Sequence, residues 1–332
     1  EIRLSLVGSE MCIRDRVYLE AIKRKIRKRS VYMKNKRKLT PWLYSMPALI
    51  LIGMVIVFPI IYTGYISLTN MNLFHWSNYE FIGLSNYSRA LLKADSGFLG
   101  ALFTTLLWTA LNMVIQVVVA YFIALGFQRE DLKGKRVYKT LLMFPWAMPA
   151  YVSILLWRVG IYNTEFGLLN KILVALGFGK VNFLSTNVPA FLSCMTLNLW
   201  MALPFMIMMI DGALSSIDRS YYESAELDGA GFWSKNIHIT VPAMKGIIAP
   251  AVIMTTFTTF KQFDIVYLLT MQKGAYSGAT LQTVITYAQQ NAFVSNNYGL
   301  SSAVSIIIFF LIMVFSPVSY THLRAHETKA NL

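Results

Sequence analysis

Glu223, Glu226 and Asp228 lie close enough in sequence to be tried as an acid–base pair or a metal-binding group. No nucleophile and no metal ligand stands beside them. The four histidines are scattered, with no H-E-x-x-H or comparable ligand spacing. The two cysteines, Cys12 and Cys194, make neither a disulfide framework nor a metal site. No G-x-x-x-x-G-K-[ST] loop occurs, so if ATP drives this chain's work, another subunit must bind it. The expectation is a chain with no catalytic residue, no metal and no cofactor.

One ionisable pair remains. Lys261 and Asp264 fall within a long apolar run, where a charge is costly and therefore a functional candidate. Three residues apart, they share a helix face and can pair. Either they line a polar path beside an aromatic such as Phe260, or Lys261 snorkels outward and Asp264 neutralises it. Phe257, Phe260, Phe263 and Tyr267 recur at helical spacing, and such a stripe packs helices together more often than it receives a ligand.

The elements that must hold these residues are membrane helices. Of 332 residues, 56% are hydrophobic and 14% charged, and the mean hydropathy is +0.51. Soluble chains rarely combine so little charge with so much apolar surface. The apolar residues also gather into runs near the roughly 20 residues that cross a bilayer. The fold class expected is all-α, a polytopic membrane protein with six transmembrane helices near 45–68, 99–127, 138–159, 188–210, 246–270 and 300–317. Trp42, Tyr44, Tyr62 and Tyr65 flank the first as interfacial anchors. Pro145 and Pro149 are expected to kink the third. A short interfacial helix is expected at 167–176.

Charge orients the spans. The net charge of +14 would suit nucleic acid in a soluble protein, but here it reads as cytoplasmic loops facing away from the outside. Basic clusters at 23–38 and 129–139, with Arg219, Lys235 and Lys245, fall on one side. Arg89, Lys93, Lys171, Lys180 and Lys273 fall on the other, with Arg158 near the outer end of the third span. The N-terminus and the 211–245 loop are thus expected in the cytoplasm, with membrane lipid and no nucleic acid as surroundings.

Within that loop, residues 221–242 read YYESAELDGAGFWSKNIHITVP. Glu223, Ala225, Asp228, Gly229 and Ala230 stand at E-x-A-x-x-D-G-A. Two short helices with a break are expected. Ser220 is read as the N-cap with Glu223 in the first turn. Gly229 and Gly231 can supply a left-handed backbone, and residues 233–240 can start the second helix. Pro242 restricts Val241 and marks the entry to the next span. Asp211 and Asp218, just before this stretch, read as charges at the inner interface.

This stretch resembles the EAA loop of permease subunits of binding-protein-dependent ABC importers, in particular those for carbohydrate uptake. Ser224, Asn236 and Val241 replace the more usual Ala, Phe and Leu. Three further runs carry the resemblance: F-x-G-L-x-N-Y at 81–87, the F-K-x-F-D-x-x-x-x-L-T run within 257–270, and NYGLSSAVS at 297–305. Residues 271–274 read MQKG where Gly-Gly-Pro is usual. The likeness covers about 40–317. It implies a type I importer permease with a cytoplasmic coupling helix carrying Glu223, Ala225, Asp228, Gly229, Ala230 and Pro242. It implies a translocation path touching Phe260, Lys261 and Asp264. It further implies a second permease subunit, a cytosolic ATPase dimer that hydrolyses the ATP, an extracytoplasmic sugar-binding protein and a sugar substrate. The setting would be the bacterial inner membrane. The alternative, an ion-coupled secondary transporter, would favour internal repeats, and none is evident. Residues 1–16 and 318–332 resemble translated sequencing-adapter read-through and are expected to be foreign. Residues 17–40 are then the basic N-terminal segment and 41–317 the transmembrane domain.

Overall fold

The computed structural model describes residues 42–93, 97–271 and 281–313. The expectations for 1–16, 17–40, 272–274 and 318–332 lie outside the described residues. Among those described, the chain is helical, with one isolated antiparallel bridge between Thr69 and Phe81 and no strand ladder. Contacts divide the chain into two units, residues 1–62 and 63–332. The first holds most of α1 (Trp42–Ile66), an apolar helix in which Phe58 stacks on Tyr62 at 6.2 Å.

The second unit contains α2 (Ser85–Leu92), α3 (Phe98–Gln128), α4 (Lys135–Ala147), α5 (Ala150–Ile161), α6 (Leu168–Ala175), α7 (Asn187–Ser215), α8 (Arg219–Leu227), α9 (Phe232–Thr270), α10 (Val284–Phe293) and α11 (Tyr298–Met313). Its axis is the pair α3 and α7. Met113, Ala120, Ala124 and Phe127 of α3 pack with Met206, Ile207, Ile210 and Ala213 of α7, and Met244 and Ile248 of α9 close the cluster. Alanines at the contact let helix backbones approach, which is how apolar helices associate where lipid removes the hydrophobic driving force. Trp108 centres a second cluster with Ile154, Leu197, Ile265 and Leu269. Phe98, Phe260, Val284, Tyr287 and Leu300 form a third.

Four helices, α1, α3, α7 and α9, are long and apolar enough to cross a membrane. α4 and α5 make a fifth if taken as one broken span. α11, in the place of the expected sixth, is a shorter apolar helix over the described residues. The short helix expected at 167–176 is α6.

Two expectations need correction. The third span is broken, not kinked: α4 and α5 meet at 92°. Met148 is extended (ψ 142°) and Pro149 follows at φ −56°, ψ 130°. A residue before proline is pushed out of the helical region, and here it leaves altogether. The helix of the fifth span, by contrast, begins well before 246, and Pro242 lies inside it and not at its entry. α9 runs through the proline, with Val241 helical at φ −63°. A π turn over Asn236–Thr240 precedes it, in which the Val241 N–H reaches back to the Asn236 carbonyl. The wider turn already disturbs the i→i−4 ladder, so a residue without an N–H is accommodated there.

Candidate functional site

The loop after α7 is built from its own side chains. Asp218, not Ser220, is the N-cap of α8: its Oδ1 accepts the Ser220 N–H at 2.9 Å. That bond holds the Asp218 carboxyl below the usual carboxylate range. The residue earlier read as an interface charge is therefore a helix cap. α8 ends in a paired turn in which Ala230 N–H donates to the Ala225 carbonyl (2.8 Å) and Gly229 N–H to the Glu226 carbonyl (3.0 Å). Gly229 is left-handed at φ 76°. This is the Schellman arrangement, and it explains the glycine: Gly229 must be left-handed, while Ala225 and Ala230 contribute backbone groups alone. Gly231 does not share the left-handed role; at φ −72°, ψ 172° it is the N-cap of α9.

Three side-chain contacts fasten this turn. Lys235 and Glu226 pair at 2.7 Å across it. The Tyr222 and Thr240 hydroxyls bond at 3.0 Å. The Tyr121 hydroxyl of α3 donates to Asn236 Oδ1. Glu223 stays exposed, and so do Tyr221, Leu227 and Trp233, with Leu227 at 90%. A rigid turn thus presents an apolar edge beside a carboxylate.

Nearby, α4 is fixed to α7 by charge. Lys139 Nζ lies 2.5 Å from Asp211 Oδ2, and Gln128 Nε2 donates to Asp211 Oδ1 at 3.0 Å. Asp211 is buried and Lys139 half-buried, so the charge read at the inner interface is one member of an ion pair between α4 and α7.

A cavity of about 460 Å³ lies between the α4–α5 break and a second break, the non-helical stretch 261–263 within α9. Pro145, Trp146, Met148 and Ala150, at the break between α4 and α5, line one side. Thr255, Thr258, Thr259, Gln262 and Asp264 of α9 line another, and Asn198, Met201 and Phe205 of α7 a third. Non-helical backbone at membrane depth is tolerated where it lines a cavity, and both breaks do so.

The expected path residues fare differently. Asp264 lines the cavity. Lys261 ends the regular part of α9 at φ −91°, ψ 14°, is exposed, and does not line the cavity. No ion pair joins it to Asp264 among the described residues, because Gln262 and Phe263 leave the helix between them and the shared face is lost. Phe260 is packed in the third core cluster and borders a separate apolar cavity with Leu106 and Ile312. Pro242 is an exposed position inside α9. Asn198, Thr255, Thr258 and Gln262 were missed. The signal was available: uncharged amides and hydroxyls inside spans, where the sequence reading asked only for charge.

The family model described as binding-protein-dependent transport system inner membrane component matches residues 116–327. The chain belongs to this family. Among its relatives is the trehalose/maltose transport system permease protein of Thermococcus litoralis, 32% identical over 83% of this chain and 91% of that protein. Another is the sulfoquinovosyl glycerol transport system permease protein of Agrobacterium fabrum, 32% identical over 85% of this chain and 89% of that one. In fold it is similar to a chain of a bacterial ABC transporter that imports alginate, with a TM-score of 0.74, 20% identity, and 89% of this chain and 98% of that chain covered.

This inner membrane component is accordingly an all-α, multi-pass permease subunit of an ABC importer, a transport component and not an enzyme. ATP hydrolysis belongs to a separate subunit. The reading as an ion-coupled secondary transporter finds no support. Within the permease, the Schellman turn at Gly229 and the cavity at Asn198 are joined by one element: α9 begins at the turn and carries Thr255, Thr258 and Gln262 to the cavity wall.

Proposed function

We propose that this subunit passes a sugar through the membrane, and that the α8–α9 turn is the coupling helix that receives the ATPase stroke. A second permease subunit completes the path, an ATPase dimer docks below, and an extracytoplasmic binding protein delivers the sugar. The relatives named for trehalose, maltose and sulfoquinovosyl glycerol transport support a sugar. Charge asymmetry supports an N-terminus and coupling turn in the cytoplasm. The observation that carries the reading is the turn itself. The backbone from Ala225 to Ala230 is committed to its geometry, and the exposed side chains of Tyr221, Glu223 and Leu227, with the exposed part of Trp233, are left to meet a partner.

The mechanism follows from α9. From Trp233 to Thr258 it spans roughly 40 Å at 1.5 Å per residue. A displacement at the turn is delivered along one helix to the cavity, where hydroxyl and amide groups can hydrogen-bond a sugar and the faces of Trp146 and Phe205 can stack on it. Closure of the ATPase dimer would then rock the spans between outward and inward access. The test is reconstitution of the four-part complex in vesicles. ATP-dependent accumulation of a labelled sugar, with the binding protein present, is expected. Uptake driven by an ion gradient without ATP would contradict it.

A further inference from the structure

A buried relay of amides ends on the cavity wall. Asn112 of α3, fully buried, donates from Nδ2 to the Trp108 carbonyl at 2.8 Å. Its Oδ1 accepts from Asn198 Nδ2, also at 2.8 Å. Asn198 lines the cavity. The polarity of this relay is set from one end, because a backbone carbonyl can only accept. Asn112 must therefore turn its Nδ2 toward Trp108 and its Oδ1 toward α7. Asn198 must answer with its own Nδ2. The Asn198 carbonyl oxygen is the atom left over; no described residue donates to it, and it is not among the buried atoms sealed off without a partner. The same α3 turn also holds the opposite wall, since Trp108 Nε1 donates to the Thr259 carbonyl at 3.2 Å.

Charge on the cavity wall agrees with that polarity. Asp264 is there, and no lysine or arginine is; Lys261 stands outside. We infer that Asn112 is a positioning residue that holds Asn198 oxygen-first, so that this subunit's wall takes hydroxyl donors and selects neutral, polyhydroxylated sugars over sugar acids. On this subunit's wall a solute carboxylate or sulfate would face an amide oxygen and a carboxylate, with no lysine or arginine among the lining residues to offset them, which is selection by repulsion as much as by attraction. The inference rests on the sugar reading above and names its chemical class.

The test is calorimetric titration of the purified permease–ATPase complex, without binding protein. The probes are neutral sugars (maltose, trehalose, maltotriose) and acidic ones (digalacturonate, trigalacturonate). The complex is expected to bind a neutral member at least tenfold more tightly than any acidic one. In Asn112→Leu the Asn198 amide is free to turn over, so neutral affinity should fall about tenfold and the discrimination should shrink toward unity. Asn112→Thr should restore the discrimination. Its hydroxyl can donate to the Trp108 carbonyl, as Thr105 and Thr109 do to theirs on the same helix, while its oxygen accepts from Asn198. Equal loss for both classes in Asn112→Leu, with the ratio unchanged, would make Asn112 merely structural and overturn the assignment. If Asn112→Leu does not assemble, the ratios for Asn112→Thr and the unaltered complex decide. An unaltered complex that prefers the acids overturns the inference and leaves the permease intact. Binding of no sugar, with the ATPase stimulated by another solute, overturns the sugar reading beneath it.

Discussion

A methyl group at Gly299 would run into the Thr69 carbonyl oxygen and stand 3.0 Å from Asn86 Nδ2. The Gly299 N–H donates to the Met71 carbonyl at 2.9 Å. Asn86 spends both amide hydrogens on the Ser67 and Thr69 carbonyls, at 2.9 and 2.8 Å. Two of the runs that carry the family resemblance, 81–87 and 297–305, thus meet at one turn. Gly299→Ala should cost about 1–3 kcal/mol through overpacking, read as a lower melting temperature of the detergent-solubilised subunit complex. An unchanged melting temperature would show that the turn relaxes freely. At this scale the sequence was legible where a residue type has one physical use. Gly229 was marked for a left-handed turn because few other residues tolerate it. The cap was misplaced by two residues, since Ser220 and Asp218 both cap well and nothing in sequence ranks them. Asn112 and Asn198 were passed over because neither is charged.

The same lesson holds for elements. Spacing put Lys261 and Asp264 on one face, but that inference needs an unbroken helix, and α9 loses its regular path between them. Pro145 and Pro149 marked the third span correctly as irregular, yet local propensity does not distinguish a kink from a 92° break. What holds the broken span is tertiary: Lys139 on α4 against Asp211 on α7. Removing Lys139 strands the buried Asp211 carboxylate, at up to about 3–5 kcal/mol; removing Asp211 costs less, because water still reaches Lys139, and replacing both by apolar groups is far milder. Lys139→Met and Asp211→Leu are therefore expected each to lower the melting temperature of the complex, and the double variant to recover most of the loss. Additive losses in the double variant would mean that the pair does not hold α4 in place.

Across the whole molecule, the long apolar helices were visible as apolar runs, while sidedness is read from charge alone and belongs to the proposal. The joining of turn to cavity by one continuous α9 was not visible, because Pro242 reads locally as a boundary and only the preceding π turn makes it passable. Sidedness is tested with a membrane-impermeant thiol reagent on a Cys12→Ser background, Cys194 being buried. A cysteine at exposed Ser85 should react from outside and one at exposed Ser234 should not; the reverse pattern would invert the topology. The central claim, that the α8–α9 turn couples the ATPase to the path, is tested most directly at Gly229. Beyond its chain neighbours no atom of this subunit lies within 4 Å of where its side chain would be, so within the subunit a substitution acts through the backbone, and Gly229→Asn controls for side-chain bulk at the docked face. A β-branched residue at φ 76° is strained by roughly 1–3 kcal/mol, whereas asparagine tolerates that region. The measurement is co-purification of the ATPase with the subunit, paired with sugar-stimulated ATP hydrolysis in vesicles, for Gly229→Val and Gly229→Asn. Gly229→Val should reach the membrane in normal amount and lose both, and Gly229→Asn should keep most of both. Normal docking and normal stimulated hydrolysis in Gly229→Val would contradict the account.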